Sequence, residues 1–116
     1  MKDIKNSITY KNEEYPVLCD LNVLEAIQEE FGTLSKWGEL TDGEGGEPNI
    51  KAIITGFTLM INEGIEAENS EKNTNRQPVD RKKVGRIITE LGFAEAVKLL
   101  NRTVIESTKD EEAEKN

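Results

Sequence analysis

The side chains that most often carry acid–base, nucleophilic or metal chemistry are almost missing from this chain. It has no histidine and one cysteine, Cys19. Histidine is the commonest general base and metal ligand near neutral pH, so Ser–His and Cys–His nucleophile pairs are excluded and zinc has no credible ligand set. A single cysteine also excludes an intramolecular disulfide and fits a reducing compartment. We therefore expect no catalytic residue, no metal and no cofactor.

Carboxylates are the only abundant reactive groups. The chain has 23 Asp and Glu against 15 Lys and Arg, and a formal net charge of −8. The closest clusters are Glu29–Glu30 and Glu66/Glu68. Catalysis by two carboxylates needs a cleft that separates their pKa values, whereas these positions fall on predicted helix faces and loops. Charge runs of this kind are usually solvated, so we expect that the protein is not an enzyme.

A glycine-rich stretch at residues 42–47, Asp-Gly-Glu-Gly-Gly-Glu, is the only candidate for a ligand loop. It lacks the GxxxxGK[ST] pattern and the strand–GxGxxG–helix context of phosphate loops, and its glutamates would repel phosphate. Its acids also miss the spacing of a calcium loop. The stretch is predicted to be a flexible loop.

Basic residues concentrate towards the end of the chain. Residues 1–60 hold five Lys/Arg against eleven acids, whereas residues 76–102 hold seven Lys/Arg against three acids. The predicted helix–Gly92–helix unit at 81–104 resembles a helix-turn-helix at low resolution, but helical hairpins with glycine turns are common packing units. The acidic total also opposes phosphate binding. The asymmetry is compatible with head-to-tail self-association.

Two strands are predicted at the start of the chain. Residues 4–10 and 14–19 alternate apolar and polar side chains, and a polar turn at 11–13 separates them, which is typical of a β-hairpin. Pro16 has no N–H to donate, so the second strand should be an edge there. Because two strands alone are only marginally stable, a helix must cover one face.

Apolar residues at helical spacing predict about four helices. For the first helix, Asp20 is a suitable N-cap and Gly32 a suitable stop. The strongest apolar stripe lies in the second helix, where Gly56 predicts close packing against a neighbouring element, because glycine in a helix is about 1 kcal/mol less favourable than alanine. The predicted helices span about 21–31, 50–64, 81–91 and 93–107.

The remaining segments complete the predicted organisation. Thr33 should cap a short turn that carries Leu34, Trp37 and Leu40, and the polar residues 66–78 are predicted to form a long loop. Residues 109–116 have almost no apolar content and are predicted to be a disordered charged tail. We thus expect an α+β fold in one domain, residues 1–108, with an N-terminal β-hairpin on a mainly helical bundle.

The order of these elements resembles a known family. The segment ITYKNEEYPVLCDLNVLEAIQEEFGTLSKW, residues 8–37, resembles the start of small tail assembly chaperones encoded by phages and prophages of Gram-positive bacteria. Asp20-Leu21-Asn22 matches the family's helix start and Phe31-Gly32 its helix end, before a short segment with a tryptophan. LMINEGIEAEN at 59–69 and VGRIITELG at 84–92 also fit. The resemblance covers roughly residues 4–105.

The resemblance implies a protein that acts during tail assembly and has no active-site residues. It would bind the tape-measure protein, keep its long hydrophobic helices soluble and help recruit tail-tube subunits. With no apolar run of the roughly 20 residues that a membrane span needs, and no signal-peptide pattern, we expect it in the cytoplasm of the bacterial host.

Partner contacts are predicted at Phe31, Leu34, Trp37 and Leu40, with Trp37 as an aromatic anchor, because such residues dominate interface energetics. Trp37 has an alternative interpretation as a lid on the protein's own core. Two other functions are kept open. One is a small DNA-binding regulator that uses the basic side chains of 81–104, and the other is a structural head–tail connector subunit.

Overall fold

A hairpin and five helices make up the described part of the chain, residues 6–42 and 47–115, with side chains described to residue 107. The structure is a computed structural model. The predicted α+β class is confirmed, although the helices number five rather than about four. In chain order the elements are β1 (Asn6–Tyr10), β2 (Glu13–Val17), α1 (Leu21–Phe31), α2 (Leu34–Asp42), α3 (Ile50–Lys72), α4 (Arg81–Leu91) and α5 (Phe93–Lys115).

The hairpin is tighter than the sequence predicted. Its strands are antiparallel and Tyr10 pairs with Glu13, so the loop has two residues, Lys11 and Asn12, rather than three. Both have positive φ angles, 49° and 66°, as in the type I′ turns that suit twisted hairpins. Ile4 lies outside the described residues. The buried face of the hairpin rests on α3, and the Leu18 N–H donates to the Met60 carbonyl at 3.1 Å.

Helix α3 is the central element of the core. Most of its apolar stripe is buried, with Ile53, Phe57 and Ile61 fully so, and the hairpin and all four other helices contact it. Two glycines allow this close approach. A Cβ on Gly56 would lie 2.7 Å from Cζ2 of Trp37, and a Cβ on Gly64 would lie 2.9 Å from Cβ of Pro16. The close packing predicted at Gly56 is confirmed, whereas Gly64 was not singled out.

Three helices are longer than predicted. The segment at 34–42 is a helix rather than a short turn, α3 continues to Lys72, and α5 continues to Lys115. The loop predicted for 66–78 is therefore wrong over residues 66–72. The extensions of α3 and α5 are rich in Glu and Lys, which favour helices, but they carry few apolar residues, so an apolar stripe cannot reveal them. Helix α3 ends where Asn73 adopts a left-handed conformation, φ 57°.

Two asparagines on α3 hold the segment that follows it. The side-chain amide of Asn69 accepts from the Arg76 N–H (3.0 Å) and donates to the Arg76 carbonyl (2.9 Å). Asn62 makes the same pair of bonds with Val79, at 2.8 and 3.0 Å. Because seven residues are about two helical turns, both amides lie on one face of α3. We call this arrangement the asparagine clamp, and it fixes the approach to α4.

Some predicted features remain predictions. The domain bounds 1–108 and the disorder of 109–116 are two of them. Residues 43–46 of the predicted glycine-rich loop lie outside the described residues. Within 6–42 and 47–115, each helix is too short or too polar to cross a bilayer.

Candidate partner-binding groove

An apolar groove lies between α1, α2 and α5. Its volume is about 370 Å³. Apolar side chains contribute most of its lining, and polar residues on α2 and α5 contribute the rest. The lining residues are Leu24, Leu34, Trp37, Gly38, Thr41, Asp42, Asn101, Val104 and Ile105.

Local capping signals position two of the three walls. The Asp20 carboxylate accepts from the Val23 N–H at 3.1 Å and starts α1. The helix stops at Gly32, whose φ is 92° and whose N–H donates to the Gln28 carbonyl. Directly afterwards the Thr33 hydroxyl accepts from the Lys36 N–H at 3.0 Å and starts α2. The caps predicted at Asp20, Gly32 and Thr33 are therefore confirmed, and the short link folds α2 back beside α1.

Trp37 forms the floor of the groove. Its side chain is only 4% exposed, and its indole N–H donates to the Ala52 carbonyl of α3 at 3.0 Å. One edge of the ring contacts Gly56, and another faces the groove. Burial of this extent makes Trp37 part of the core, which corresponds to the alternative interpretation of this residue as a lid. A partner in the groove would meet its edge rather than an exposed ring.

The structure brings together two of the four predicted partner-binding residues. Leu34 and Trp37 both line the groove. Phe31 and Leu40 are half-buried and pack against the core, but they do not line the groove. Partner binding by the four residues stays a prediction.

Sequence reasoning missed the far wall and one end of this surface. Ile105 on α5 is 61% exposed and lines the groove. Leu21 on α1 is 68% exposed and lines a shallow depression that shares Leu24 and Leu34 with the groove. The position of Ile105 in the helical repeat could have indicated this exposure. Because Ile105 follows Val104 directly, it falls outside the buried stripe of α5. Together these side chains form one apolar strip.

The walls from α1 and α2 are strongly acidic. Their exposed charged side chains include one cation, Lys36, and five anions. The anions are Glu25, Glu29, Glu30, Glu39 and Asp42. Two of the three walls beside the apolar strip are thus negative and favour association with a cationic partner, whereas α5 also exposes Lys98 and Arg102.

The carboxylates noted in the sequence are exposed except for Glu68, which is half-buried and lines a polar cavity with Glu14 and Arg76. Glu29 and Glu30 are exposed on α1, and Glu66 is exposed on α3. A different pair does meet: a hydrogen bond with the Asp20 carboxylate raises the pKa of Glu63 above its ordinary value of 4.5, and burial and the negative charge of Glu66 act in the same direction. Asn22 opposes the shift by donating to Glu63 at 3.0 Å. This pair stands at the N-terminus of α1, and no cleft encloses it.

The basic side chains of α4 divide between structural and exposed roles. The Arg81 guanidinium donates to the Thr55 hydroxyl at 2.7 Å, and the Lys83 ammonium lies 5.4 Å from the centre of the Tyr15 ring. Lys82 and Arg86 instead line a shallow depression with the β-hairpin turn. Two of the basic residues predicted as a nucleic-acid surface therefore also make contacts within the chain, although Arg81 remains exposed.

Among the described residues, no three acidic or cysteine side chains are grouped so that they could hold a metal ion.

Tyr15 is buried beside charged groups. The Arg76 guanidinium lies 4.5 Å from the centre of the Tyr15 ring and 3.2 Å from the Glu13 carboxylate. The Arg76 guanidinium also donates to the Glu14 carbonyl at 2.8 Å, so these bonds join the end of the asparagine clamp to β2.

Comparisons with protein-family models, with curated proteins and with solved structures found no match.

Proposed function

We propose that this protein is a tail assembly chaperone of a phage or prophage, that it has no enzymatic activity, and that it binds the tape-measure protein. The observation that carries the proposal is the open apolar groove between α1, α2 and α5. Leu34 and Trp37 of this groove belong to the segment of residues 8–37 that resembles the family. The proposed site and the resemblance therefore coincide on α1 and α2.

The physical requirements of a chaperone support this assignment. A protein that keeps apolar helices soluble needs an apolar surface for them and enough charge to stay dispersed itself. The groove supplies the first, and a net charge of −8 supplies the second. Tail-tube subunits are proposed as further partners, and the cytoplasm of the bacterial host as the site of action.

The DNA-binding alternative has weaker support. Arg81 and Lys83 make contacts with Thr55 and Tyr15 of the same chain, although Arg81 is also exposed. The net charge of −8 opposes the phosphate contacts on which such binding depends. A head–tail connector remains the structural alternative, and detection of the chain in purified particles would favour it over a chaperone.

Co-expression with the tape-measure protein of the same phage tests the proposal. We expect the soluble fraction of the tape-measure protein to rise several-fold and the two proteins to co-purify. Trp37→Ala is a poor test variant because Trp37 is buried and its loss would disturb the core. Ile105→Ser removes apolar surface from the groove instead, and it should reduce the gain in solubility.

Ile50→Ser is the matched control. Ile50 is also 61% exposed, but it lies at the start of α3 and does not line the groove. We expect it to behave like the unmodified protein. If the wild-type chain neither co-purifies with the tape-measure protein nor raises its solubility, the proposed function is wrong.

A further inference from the structure

Two stretches of the chain whose side chains are not described have a composition that does not suit the groove. Residues 43–46 are Gly-Glu-Gly-Gly, and residues 108–116 contain one alanine among charged and polar side chains. Neither offers the large apolar side chains that would replace water against Leu24, Leu34 and Ile105. Negative charge would also be placed against the acidic walls of α1 and α2.

Asn6, the first described residue, contacts α5 on the side away from the groove. The Asn6 side-chain amide donates to Thr103 at 2.8 Å and to Glu106 at 3.2 Å. At 3.6 residues per turn, these two positions lie on the face of α5 opposite Val104 and Ile105. The chain therefore enters β1 on the far side of α5 from the groove. A separate partner is the occupant that remains.

The geometry of the groove suits a helix. Three helices form its sides and floor, and the apolar strip continues from Ile105 past Leu34 to Leu21. Elongated apolar grooves between helices typically accept an amphipathic helix, which inserts apolar side chains from successive turns. Its own backbone hydrogen bonds are internal, so the occupant needs no polar partners in the groove.

The charge of the walls selects among amphipathic helices. Five acids and one lysine are exposed on α1 and α2, and Glu25 lines the shallow end of the strip directly. A helix with acidic flanks would meet like charge along both walls, whereas lysine or arginine flanks would be attracted. We infer that the groove binds a basic amphipathic helix of the partner, with its apolar stripe on the strip and its cations towards the acidic walls. The inference rests on the proposed function only for the source of that helix, the tape-measure protein.

Trp37 is the only tryptophan of the chain, and its edge lines the groove, so its fluorescence reports on occupancy. The probes are two synthetic 20-residue peptides with the same leucine stripe, one with lysine flanks and one with glutamate flanks. We expect the lysine peptide to change Trp37 emission and to bind at least 10-fold more tightly than the glutamate peptide. Because the exposed charges are screened by salt, that preference should shrink between 0.05 and 0.5 M NaCl.

Two pairs of variants locate the binding. Ile105→Ser should weaken the lysine peptide, whereas Ile50→Ser should not. Glu25→Lys should reduce the preference for lysine over glutamate flanks, whereas Glu90→Lys, an equal charge change on the exposed face of α4, should leave it unchanged. Equal binding of both peptides, or an equal effect of the groove and control variants, would overturn the inference.

Other outcomes separate this inference from the proposed function. A dimer that dissociates on Ile105→Ser would mean that a second copy occupies the groove, which overturns the inference. Peptide binding without any effect on the tape-measure protein supports the groove assignment and contradicts the proposed function. The wild-type chain could also raise the solubility of the tape-measure protein while Ile105→Ser and Glu25→Lys do so equally well. That result supports the proposed function and contradicts the groove assignment.

Discussion

Replacement of Gly56 by alanine tests how closely α2 packs on α3. The new methyl carbon would lie 2.7 Å from Cζ2 of Trp37, whereas carbon–carbon contacts are favourable from about 3.5 Å. The indole would have to move by about 0.8 Å to reach that separation. It is buried, and a 3.0 Å hydrogen bond to Ala52 holds it. Overpacking of this kind lowers stability by about 1–3 kcal/mol.

The helix propensity of alanine works in the opposite direction. Alanine is favoured over glycine in a helix by about 1 kcal/mol, so the net loss for Gly56→Ala should be roughly 0–2 kcal/mol. Gly85→Ala on α4 is a control in which only the propensity changes, because the nearest atom to its methyl carbon, Cδ1 of Ile54, would be 3.9 Å away. The difference between the free energies of unfolding of the two variants, each taken relative to wild type, cancels the effect of helix propensity. By this measure Gly56→Ala should be the less stable by about 1–3 kcal/mol.

Urea unfolding of both variants measures this difference. With a slope of about 2 kcal/mol per molar urea, the midpoints should differ by roughly 0.5–1.5 M. The emission of folded Gly56→Ala should also shift, because Trp37 moves, while that of Gly85→Ala should not. Equal midpoints together with unchanged emission would refute the close packing of Trp37 on Gly56.

Two further predictions concern Glu63 and Asn69. The raised pKa of Glu63 favours its neutral form in the folded state, so its stabilising contribution is present below the unfolded pKa and is lost as the pH rises through the folded pKa. Glu63→Gln should therefore raise the urea midpoint at pH 7, and the gain should shrink as the pH falls through the folded pKa of Glu63 and be lost below 4.5; a gain independent of pH would contradict the Asp20–Glu63 contact. Asn69→Ala should cost about 1–3 kcal/mol and speed amide exchange at Arg76 more than at Val79, whereas equal protection would contradict the asparagine clamp.

The parts of the fold that sequence predicted are those with local chemical signals. Asp20, Gly32 and Thr33 act on their own neighbours in the chain, so their residue types identify the ends of α1 and the start of α2. Gly56 was informative because glycine is unfavourable inside an apolar helical stripe unless something approaches closely. These signals need no knowledge of tertiary structure.

The parts that sequence did not predict depend on tertiary contacts or on solvent exposure. The end of α3 faces solvent, so polar helix formers there resemble a loop. The groove exists only because Leu34 of α2 and Ile105 of α5, 71 positions apart in the sequence, line the same cavity. The asparagine clamp likewise depends on where the chain returns after α3, which Asn62 and Asn69 do not indicate by themselves.

The asparagine clamp also determines which changes the segment between α3 and α4 tolerates. The Asn62 and Asn69 amides bind main-chain atoms of Val79 and Arg76. The two residues between these positions, Gln77 and Pro78, are exposed. Pro78 can stand there because its missing N–H is not needed. One inserted residue would add about 3.3 Å of extended chain, and the two amides would no longer match their targets. Positions 77 and 78 can therefore vary in composition, but the length of the segment is fixed by the two-turn spacing of Asn62 and Asn69.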